Sequence, residues 1–501
     1  MSTGETADRR NRGTALLGRG LLVAAHDEFL QWLHLVEGSG DPAQVIPALN
    51  GLSVVAFRRK DVEGAYRYAE RALSLAQLPT APEPERLKLY MNLVNLNTQM
   101  GRLDEALQWV GRVAGLMVDP DGPLTLVYWL NLSNLYWRRQ EWVPMLNASR
   151  EAYRRSAAVG NDAASARALT NLGIANLELG LYAEAEEQLQ KALETPETSD
   201  PAVVAYVNAE LGRLYFLRGE HNEALAAGRK ALDALITGVS VFDKEVVAAV
   251  SRLFGSIFGT YGQRNLALKY LNRAAAYYSQ LGLRAEWQRA TDSIGQLLSG
   301  PRQPARQQLV DEVQRLDFLT AVLDMTDDLE SVDPYLRGHS ERVASLAVIL
   351  GEASGLSQES LLVLGLAAWL HDVGKVAVDA ELLQKEGPLT EGEQARVNMH
   401  STIGEEMLRP YGLSPTGLKA IRHHHERFDG KGSPDQLRGE EIPLMARIIA
   451  VVDAYDGLTS DRLNRPAVPH VQAADMLRAM SGRELDPELV ERFLDMHNVE
   501  P

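Results

Sequence analysis

The residue types best suited to chemistry gather in the last third of this 501-residue chain. In order along the chain they are His371, Asp372, His400, His423, His424, His425 and Asp453. Only three of the eleven histidines fall in the first 330 residues. Imidazole and carboxylate together are typical ligands of divalent metal ions, and the chain has no cysteine to add a thiolate. The distribution therefore predicts a metal site built from His and Asp side chains.

Four predicted helices position these residues, and each brings a polar ligand type into an apolar setting. The stretches are 359–378, 389–408, 417–434 and 445–465. A satisfied core histidine with a capping aspartate could explain the His371-Asp372 pair alone. A buried carboxylate such as Asp453, in the middle of "IIAVVDAY", is costly unless it is paired or bound to a metal. Four such cases together favour a metal site over chance.

Composition limits the class of protein and its partners. The net charge of −16 argues against a nucleic-acid polymer or an anionic membrane surface as the main partner. Absence of cysteine rules out disulfides, and no stretch reads as a secretory signal or as the roughly 20 apolar residues of a membrane span. We therefore expect a soluble, cytoplasmic protein, with a disordered polar tail at residues 1–15.

Residues 16–300 contain a repeat. Turn residues recur every 39 to 43 positions, at Lys60, Gly101, Gln140, Gly180, Gly219 and Gly262. Five positions after most of these turns stands an alanine, and seven before stands a small residue, so paired antiparallel helices can approach closely. A fixed period of helix pairs predicts a solenoid. The copies "TNLGIANLELGLYAEAEEQLQKAL" and "AELGRLYFLRGEHNEALAAGRKAL" resemble tetratricopeptide repeats, a resemblance that implies a surface for a protein or peptide partner without identifying it.

A boundary follows the repeats at residues 301–330. Gly300, Pro301 and Pro304 break the helical pattern, and 307–329 then has the near-heptad spacing of an amphipathic helix. This segment could be the first helix of the second domain. It could also be a connecting helix that pairs two protomers in a homodimer.

The stretch 331–501 is similar to HD-GYP domains, the cyclic di-GMP phosphodiesterase branch of the HD phosphohydrolases. The matching motifs are "GHSERVASLA", "LHDVGKVAV", "GPLTEGE…MHSTIGEEML", "HHERFDGKGSP", "LRGEEIPLMARIIAVVDAYDGLTSDR" and "ELDPELVERFL". The resemblance implies an all-α fold, with a solenoid of tetratricopeptide-like repeats followed by a helical HD-domain bundle. It also implies hydrolysis of cyclic di-GMP to pGpG, to GMP, or to both.

Carried over by position, the resemblance implies a site with two divalent metal ions, iron or manganese. The implied ligands are His371, Asp372, His400, His424, His425 and Asp453, with Asp372 bridging and His423 a bystander. Lys375, Arg462 and Arg465 would contact the substrate phosphates, and Asp372 and Lys375 would be the catalytic residues. His339 could serve a third metal or a phosphate contact. Members with three metals carry a glutamate one turn earlier, where this chain has Tyr335, so two metals are expected.

One departure from the family pattern concerns the tripeptide that gives it its name. This chain has Gly432-Ser433-Pro434 where the family has Gly-Tyr-Pro, and the missing tyrosine removes an aromatic ring from a loop near the site. Three hypotheses follow. The protein is an active cyclic di-GMP phosphodiesterase regulated through its repeats, an HD hydrolase of another nucleotide, or a catalytically weak sensor or docking module.

Overall fold

The computed structural model is helical, as the sequence predicts. It describes residues 3–59, 61–117, 123–195, 201–237, 243–300, 309–332, 338–383, 385, 387, 389–411, 413–461 and 466–497. Within these ranges the secondary structure consists of helices and one isolated bridge between Ser481 and Leu485. The chain forms two compact units, unit 1 from Met1–Thr80 with Ala321–Pro501 and unit 2 from Ala81–Thr320.

Unit 1 begins with four helices: α1 Thr3–Gly18, α2 Leu22–Glu37, α3 Pro42–Arg58 and α4 Val62–Ala76. The first helix covers most of the segment that we predicted to be disordered. Its polar sequence has no apolar period, but Leu16 is buried and Arg9 Nη1 donates to Glu28 Oε2 at 3.0 Å. Contacts with α2 therefore account for a helix that its own sequence does not predict.

Unit 2 is a series of helix pairs with the predicted period. Its helices are α5 Glu83–Gln99, α6 Leu103–Leu116, α7 Pro123–Arg139, α8 Trp142–Ala158, α9 Asp162–Glu178, α10 Tyr182–Glu194, α11 Pro201–Leu217, α12 His221–Thr237, α13 Lys244–Thr260, α14 Arg264–Gln280 and α15 Arg284–Ser299. Gly101, Gly180, Gly219 and Gly262 each close a pair with a φ between 73° and 78°, the left-handed region that glycine adopts without strain. Gln140 closes the α7–α8 pair with a φ of 59°, also in the left-handed region.

Small residues let the paired helices of unit 2 touch. Ala106, Ala185, Ala224 and Ala267 are 0% exposed. A Cβ at Gly173 would lie 2.5 Å from Leu189 Cγ, so the α9–α10 pair requires a residue without one. The predicted close approach of antiparallel helices is confirmed.

The helix α16, Val310–Val332, crosses from unit 2 into unit 1 at Thr320–Ala321. Its apolar residues Leu316, Leu319, Val322 and Leu323 are at most 1% exposed within the single chain. The stripe that could pair two protomers is thus covered already. A homodimer therefore remains a prediction, and the apolar face of α16 does not support it.

The rest of unit 1 is a helical bundle that carries the predicted site. Its helices are α17 His339–Ala353, α18 Gln358–Leu370, the 3₁₀ helix Val373–Ala377, α19 Ala380–Leu383, α20 Glu391–Asn398, α21 His400–Leu408, α22 Pro415–His423, α23 Leu444–Thr459, α24 His470–Met480 and α25 Pro487–Asp495. At its centre α17 packs on α18 and α23, and α22 packs on α18, α21 and α23. These five helices converge where the histidines lie.

One stretch of this bundle is more apolar than the sequence analysis expects. Among the described residues, Gln358–Ala377 is the single helical stretch long and apolar enough to cross a membrane by length and composition. A core helix passes the same test, and more than half of this stretch is buried in the bundle.

The N-terminal helices of unit 1 pack on this bundle. Asp27 Oδ2 accepts a hydrogen bond from the backbone N–H of His470 at 2.5 Å, and Arg19 Nη1 donates to the carbonyl of Met496 at 3.2 Å. These contacts explain why residues before Thr80 group with the bundle, whereas we predicted one repeat domain over 16–300.

Candidate metal centre

The end of α18 delivers the first two donors. His371 follows the last residue of this apolar helix and is 0% exposed, and Asp372 starts the 3₁₀ turn at 2%. Gly374 then passes against the start of α21. A Cβ there would lie 2.0 Å from the carbonyl oxygen of His400, so only glycine allows the two segments to approach this closely.

The six predicted ligands and His339 form two adjacent groups of donors. The first group is Asp372, His400, His424 and His425, and the second is His339, His371 and Asp453. Within each group, one donor atom from every residue lies within 4.8 Å of the others.

Asp372 stands between the two groups. Its Oδ1 is 3.2 Å from His400 Nε2 in the first group, and its Oδ2 is 3.5 Å from His371 Nε2 in the second. Each oxygen of this carboxylate therefore faces a different group.

Backbone carbonyls fix the orientation of three histidine rings. The Nδ1 atom of His371 lies 2.7 Å from the carbonyl oxygen of residue 368. The Nδ1 atoms of His400 and His424 lie 2.6 Å from the carbonyl oxygens of residues 397 and 421, respectively. Because Nδ1–H donates to a carbonyl, the lone pair of each ring is on Nε2, which points into the centre. The rings are therefore held in the tautomer that binds metal through Nε2.

The Nε2 atoms meet in a way that calls for a cation. His400 Nε2 is 3.2 Å from Nε2 of both His424 and His425, and His339 Nε2 and His371 Nε2 are buried without a hydrogen-bond partner among the described residues. Two lone pairs at this distance repel each other unless a positive charge lies between them. Nitrogens bound to one ion at about 2.1 Å would be roughly 3 Å apart. The donor set thus fits divalent metal ions.

The electrostatics keep the donors in the forms that bind metal. Burial lowers the pKa of His371 and His424, and lowers that of His425 to about 4, so these imidazoles are neutral near pH 7. Burial alone would raise the pKa of Asp372, but the positive charge of Lys375 beside it outweighs burial and holds this pKa well below its usual value. Neutral imidazoles and an ionised carboxylate are the protonation states that metal binding needs.

His339 belongs to the second group, whereas the family resemblance suggests a third metal or a phosphate contact for it. Its Nε2 is 3.5 Å from Asp453 Oδ1 and 3.7 Å from Asp372 Oδ2. The residues around Tyr335, where a third metal would need its glutamate, lie outside the described part of the chain.

Two residues that support His339 were missed in the sequence. Asp456 Oδ2 lies 2.8 Å from His339 Nδ1, and Arg342 Nε and Nη2 donate to Asp456 at 2.6 and 2.9 Å. Asp456 falls three residues after Asp453 and Arg342 three after His339, on the same helix faces. That i, i+3 spacing was the available signal.

Of the three residues predicted to contact the substrate phosphates, the structure describes one, Lys375. Lys375 Nζ donates to Asp372 Oδ2 at 2.6 Å, so its charge is at the edge of the donor groups. Arg462 and Arg465 lie outside the described residues.

His423 turns away from the donors and holds the loop with the altered tripeptide. Its Nε2 is 2.9 Å from Asp435 Oδ2, which also accepts from Arg422 Nε at 2.8 Å. Ser433 N–H donates to the carbonyl of His425 at 3.2 Å. The loop is therefore anchored at the metal centre.

Two stretches of the chain match known protein-family models. Residues 325–489 match the HD domain model, and residues 165–195 match a tetratricopeptide repeat model. The C-terminal bundle is an HD domain.

Three curated relatives of the HD domain are cyclic dinucleotide phosphodiesterases by name. The cyclic di-GMP phosphodiesterase response regulator RpfG of Xanthomonas campestris is 42% identical over 157 residues, 31% of this chain and 41% of that protein. The cyclic di-GMP phosphodiesterase of Thermotoga maritima is 35% identical over 183 residues, 36% of this chain and 50% of that protein. The 3′3′-cGAMP-specific phosphodiesterase 3 of Vibrio cholerae is 35% identical over 202 residues, 40% of this chain and 43% of that protein. The chain thus spans half or less of these relatives' lengths.

Proposed function

We propose that the HD domain is a metal-dependent phosphodiesterase that hydrolyses cyclic di-GMP to pGpG, to GMP, or to both. The observation that carries the proposal is the pair of donor groups that share Asp372. A site for two adjacent ions suits phosphodiester hydrolysis because both the attacking and the leaving oxygen need stabilisation. The names of the relatives point to a cyclic dinucleotide as the substrate.

Iron or manganese is the proposed metal. Five imidazoles and two carboxylates, with no thiolate, match the ligands that iron and manganese ions take in proteins. His400, His424 and His425 would hold one ion, His371, Asp453 and His339 the other, and Asp372 both. When bound, the ions would supply the Lewis acidity that makes water a nucleophile near neutral pH and that neutralises phosphate charge.

The protein's own residues would position the substrate around this centre. Lys375, with its ammonium group beside Asp372, would hold a non-bridging phosphate oxygen and counter the charge that grows on it in the transition state. Arg462 and Arg465 would bind the phosphates from the segment that follows α23. Asp372, kept ionised by Lys375, would fix the spacing of the two metal positions.

Replacement of the shared carboxylate tests the proposal. With purified full-length protein loaded with Mn²⁺ or Fe²⁺, Asp372→Ala should lower cyclic di-GMP turnover by roughly 1,000-fold or more, since both metal positions lose a ligand. Metal content measured by mass spectrometry should fall in parallel. Asp475→Ala is the matched control, because this carboxylate is 72% exposed on α24. Turnover that persists in Asp372→Ala would contradict the assignment.

A second substrate has support from two observations. A relative at 35% identity is named for 3′3′-cGAMP, and the altered Gly432-Ser433-Pro434 loop begins at the metal centre. The same assay with both dinucleotides separates the two candidates by their kcat/KM. Metal binding without turnover of either would favour the catalytically weak sensor or docking module.

Unit 2 is the proposed regulatory part. Its tetratricopeptide-like helices form an open cavity of about 400 Å³ whose lining includes the polar side chains of Asn134, Arg138, Asn171, Tyr206 and Glu245. Such a surface supports a protein or peptide partner whose binding alters the activity of the HD domain. We place the protein in the cytoplasm, where a soluble dinucleotide would reach it.

A further inference from the structure

A second cavity lies in unit 1, away from the space between the metal donors. It has a volume of about 260 Å³ and is bounded by the turn after α1, the end of α3, and the helices α17 and α23. Neither the proposed reaction nor the repeats use it.

The wall of this cavity is largely apolar. Leu21, Leu22, Val23, Leu346 and Ile349 line it. A cavity of roughly 150 Å³ holds a benzene molecule, so this one would accept a body of about ten non-hydrogen atoms. An apolar cavity with a few polar groups is typical of a small-molecule site.

A cation without a partner gives the cavity its charge preference. The guanidinium group of Arg59 lines it and makes no hydrogen bond or ion pair among the described residues. Arg58 beside it donates Nη1 to the carbonyl of Leu17, an uncharged acceptor, at 3.1 Å. The two carboxylates on the wall are Glu341, which is exposed, and Asp456, which already pairs with Arg342. The wall of the cavity therefore has an excess of positive charge, at Arg58 and Arg59, that a bound anion could neutralise.

One wall residue of the cavity, Asp456, directly contacts a proposed metal donor, His339. Arg342 and Asp456 line its wall, and Asp456 bonds the Nδ1 of His339, whose Nε2 faces Asp453 in the second donor group. An anion bound in this cavity shares its wall with Arg342 and Asp456, so its charge would change their pairing and with it the support of His339.

We propose that this cavity binds a small amphipathic organic anion, a carboxylate with an apolar body of about ten non-hydrogen atoms in all, and that the bound anion changes the metal affinity of the second donor group. The carboxylate pairs with Arg59, and the body lies against Leu22, Leu346 and Ile349. The link to the metal rests on the proposed metal centre, whereas the binding site itself does not.

Calorimetry with octanoate tests the binding site. Octanoate should bind the metal-free full-length protein at least about 10-fold more tightly than octan-1-ol, because only the carboxylate can pair with Arg59. Arg59→Gln should weaken octanoate binding by about 10-fold. Arg67→Gln, which removes an exposed arginine from the neighbouring α4, should leave it unchanged. Val23→Trp, which fills the cavity, should abolish it.

Equal affinities for octanoate and octan-1-ol, or an Arg59→Gln protein that binds as the parent does, would overturn the assignment. No detectable binding up to several millimolar would do the same. Arg59→Gln changes an unpaired side chain, so this variant keeps the test valid if Val23→Trp fails to fold.

Manganese titration tests the link. The Kd for Mn²⁺ should change several-fold when octanoate is present, and the Kd for octanoate should change by the same factor when Mn²⁺ is present, as linkage requires. Arg342→Gln should remove this coupling. An unchanged Mn²⁺ affinity would refute the link. Absence of phosphodiesterase activity would refute the proposed function but leave the octanoate results standing, so the two failures are distinguishable.

Discussion

Buried charged groups are arranged in opposite ways in unit 2 and in the HD domain. In unit 2, Arg252 pairs with Glu286 and with Glu210, whose other oxygen accepts from Arg213 at 2.7 Å. In the HD domain, imidazoles and carboxylates point at a shared space, and the Nε2 atoms of His339 and His371 have no hydrogen-bond partner there among the described residues. Mutually paired buried charges indicate a structural network, whereas convergent unpaired donors indicate a ligand site.

The largest effect should come from breaking the paired network. Arg252→Met leaves Glu286 and Glu210 buried with less compensation, so unit 2 should lose about 3–5 kcal/mol of stability. Hydrogen exchange with mass spectrometry should show the loss in α11, α13 and α15, equally with and without Mn²⁺.

Arg150→Met provides the control for this network, since Arg150 is exposed on α8. A loss of protection that depends on metal would mean that the two regions do not differ as described. A loss of protection centred on the HD domain would contradict the described difference in the same way.

The two units should also respond to acid with opposite signs. Burial, with Asp243 nearby, raises the pKa of Glu245 in unit 2 to about 7, above its ordinary 4.5. The folded state then binds a proton that the unfolded state lacks, so this contribution to stability is present below about pH 4.5 and is lost as pH rises through 7. Burial, with His470 nearby, lowers the pKa of His497 in unit 1 from 6.5 to about 3. There the unfolded state takes the proton, so stability is lost as pH falls below 6.5.

Variants separate these contributions. Glu245→Gln should remove an acid-stabilising effect of up to about 3 kcal/mol from unit 2, and His497→Gln an acid-destabilising effect of similar size from unit 1. Hydrogen exchange between pH 5 and 8, corrected for the intrinsic rate, reports each unit separately. Glu223→Gln and His34→Gln, both at exposed positions, are the controls. Slopes of the same sign in both units would contradict the contrast.

The support of His339 gives a smaller expected effect. Asp456→Asn keeps the shape of the side chain but weakens its hold on His339 Nδ1 and on Arg342, so the affinity for Mn²⁺ should fall by roughly 10–100-fold. Calorimetric titration of the metal-free protein measures it. Asp475→Asn on the exposed face of α24 should bind as the parent does, and an unchanged Kd in Asp456→Asn would separate His339 from the metal.

The sequence alone indicated a metal site of His and Asp because their chemistry and helical settings are local properties, whereas the set of six proposed ligands came from the resemblance to HD-GYP domains. Asp453 and the His424-His425 pair stand out as polar residues at the ends or centres of apolar helices. The place of His339 and the supporting role of Asp456 were not predictable in the same way. Both depend on α17 packing against α23, a contact between segments more than 100 residues apart.

The fold shows the same limit. Helix pairs in unit 2 followed from a repeated pattern of turn residues and alanines, which each copy contains in itself. Helix α1 was missed because Arg9 and Leu16 gain their partners from outside the segment. The grouping of residues 1–80 with the HD domain depends on hydrogen bonds such as Asp27 to His470, 443 residues apart.

The smallest expected effect concerns the loop at the edge of the convergent donors. The backbone N–H of Ser433 donates to the carbonyl of His425, so position 433 lies close to the metal centre and a ring there is a candidate for contact with a nucleobase. Ser433→Tyr should lower the KM for cyclic di-GMP by a few-fold, because stacking on a nucleobase is worth roughly 1–3 kcal/mol and only part of it would be realised here. The kcat should stay within a factor of two or so, since the metal donors are untouched. Lys431→Tyr, exposed on the same loop, distinguishes a ring at the site from a ring merely nearby. If both variants change KM alike, or neither does, the loop does not contact the substrate, and the ligand site ends at the donors themselves.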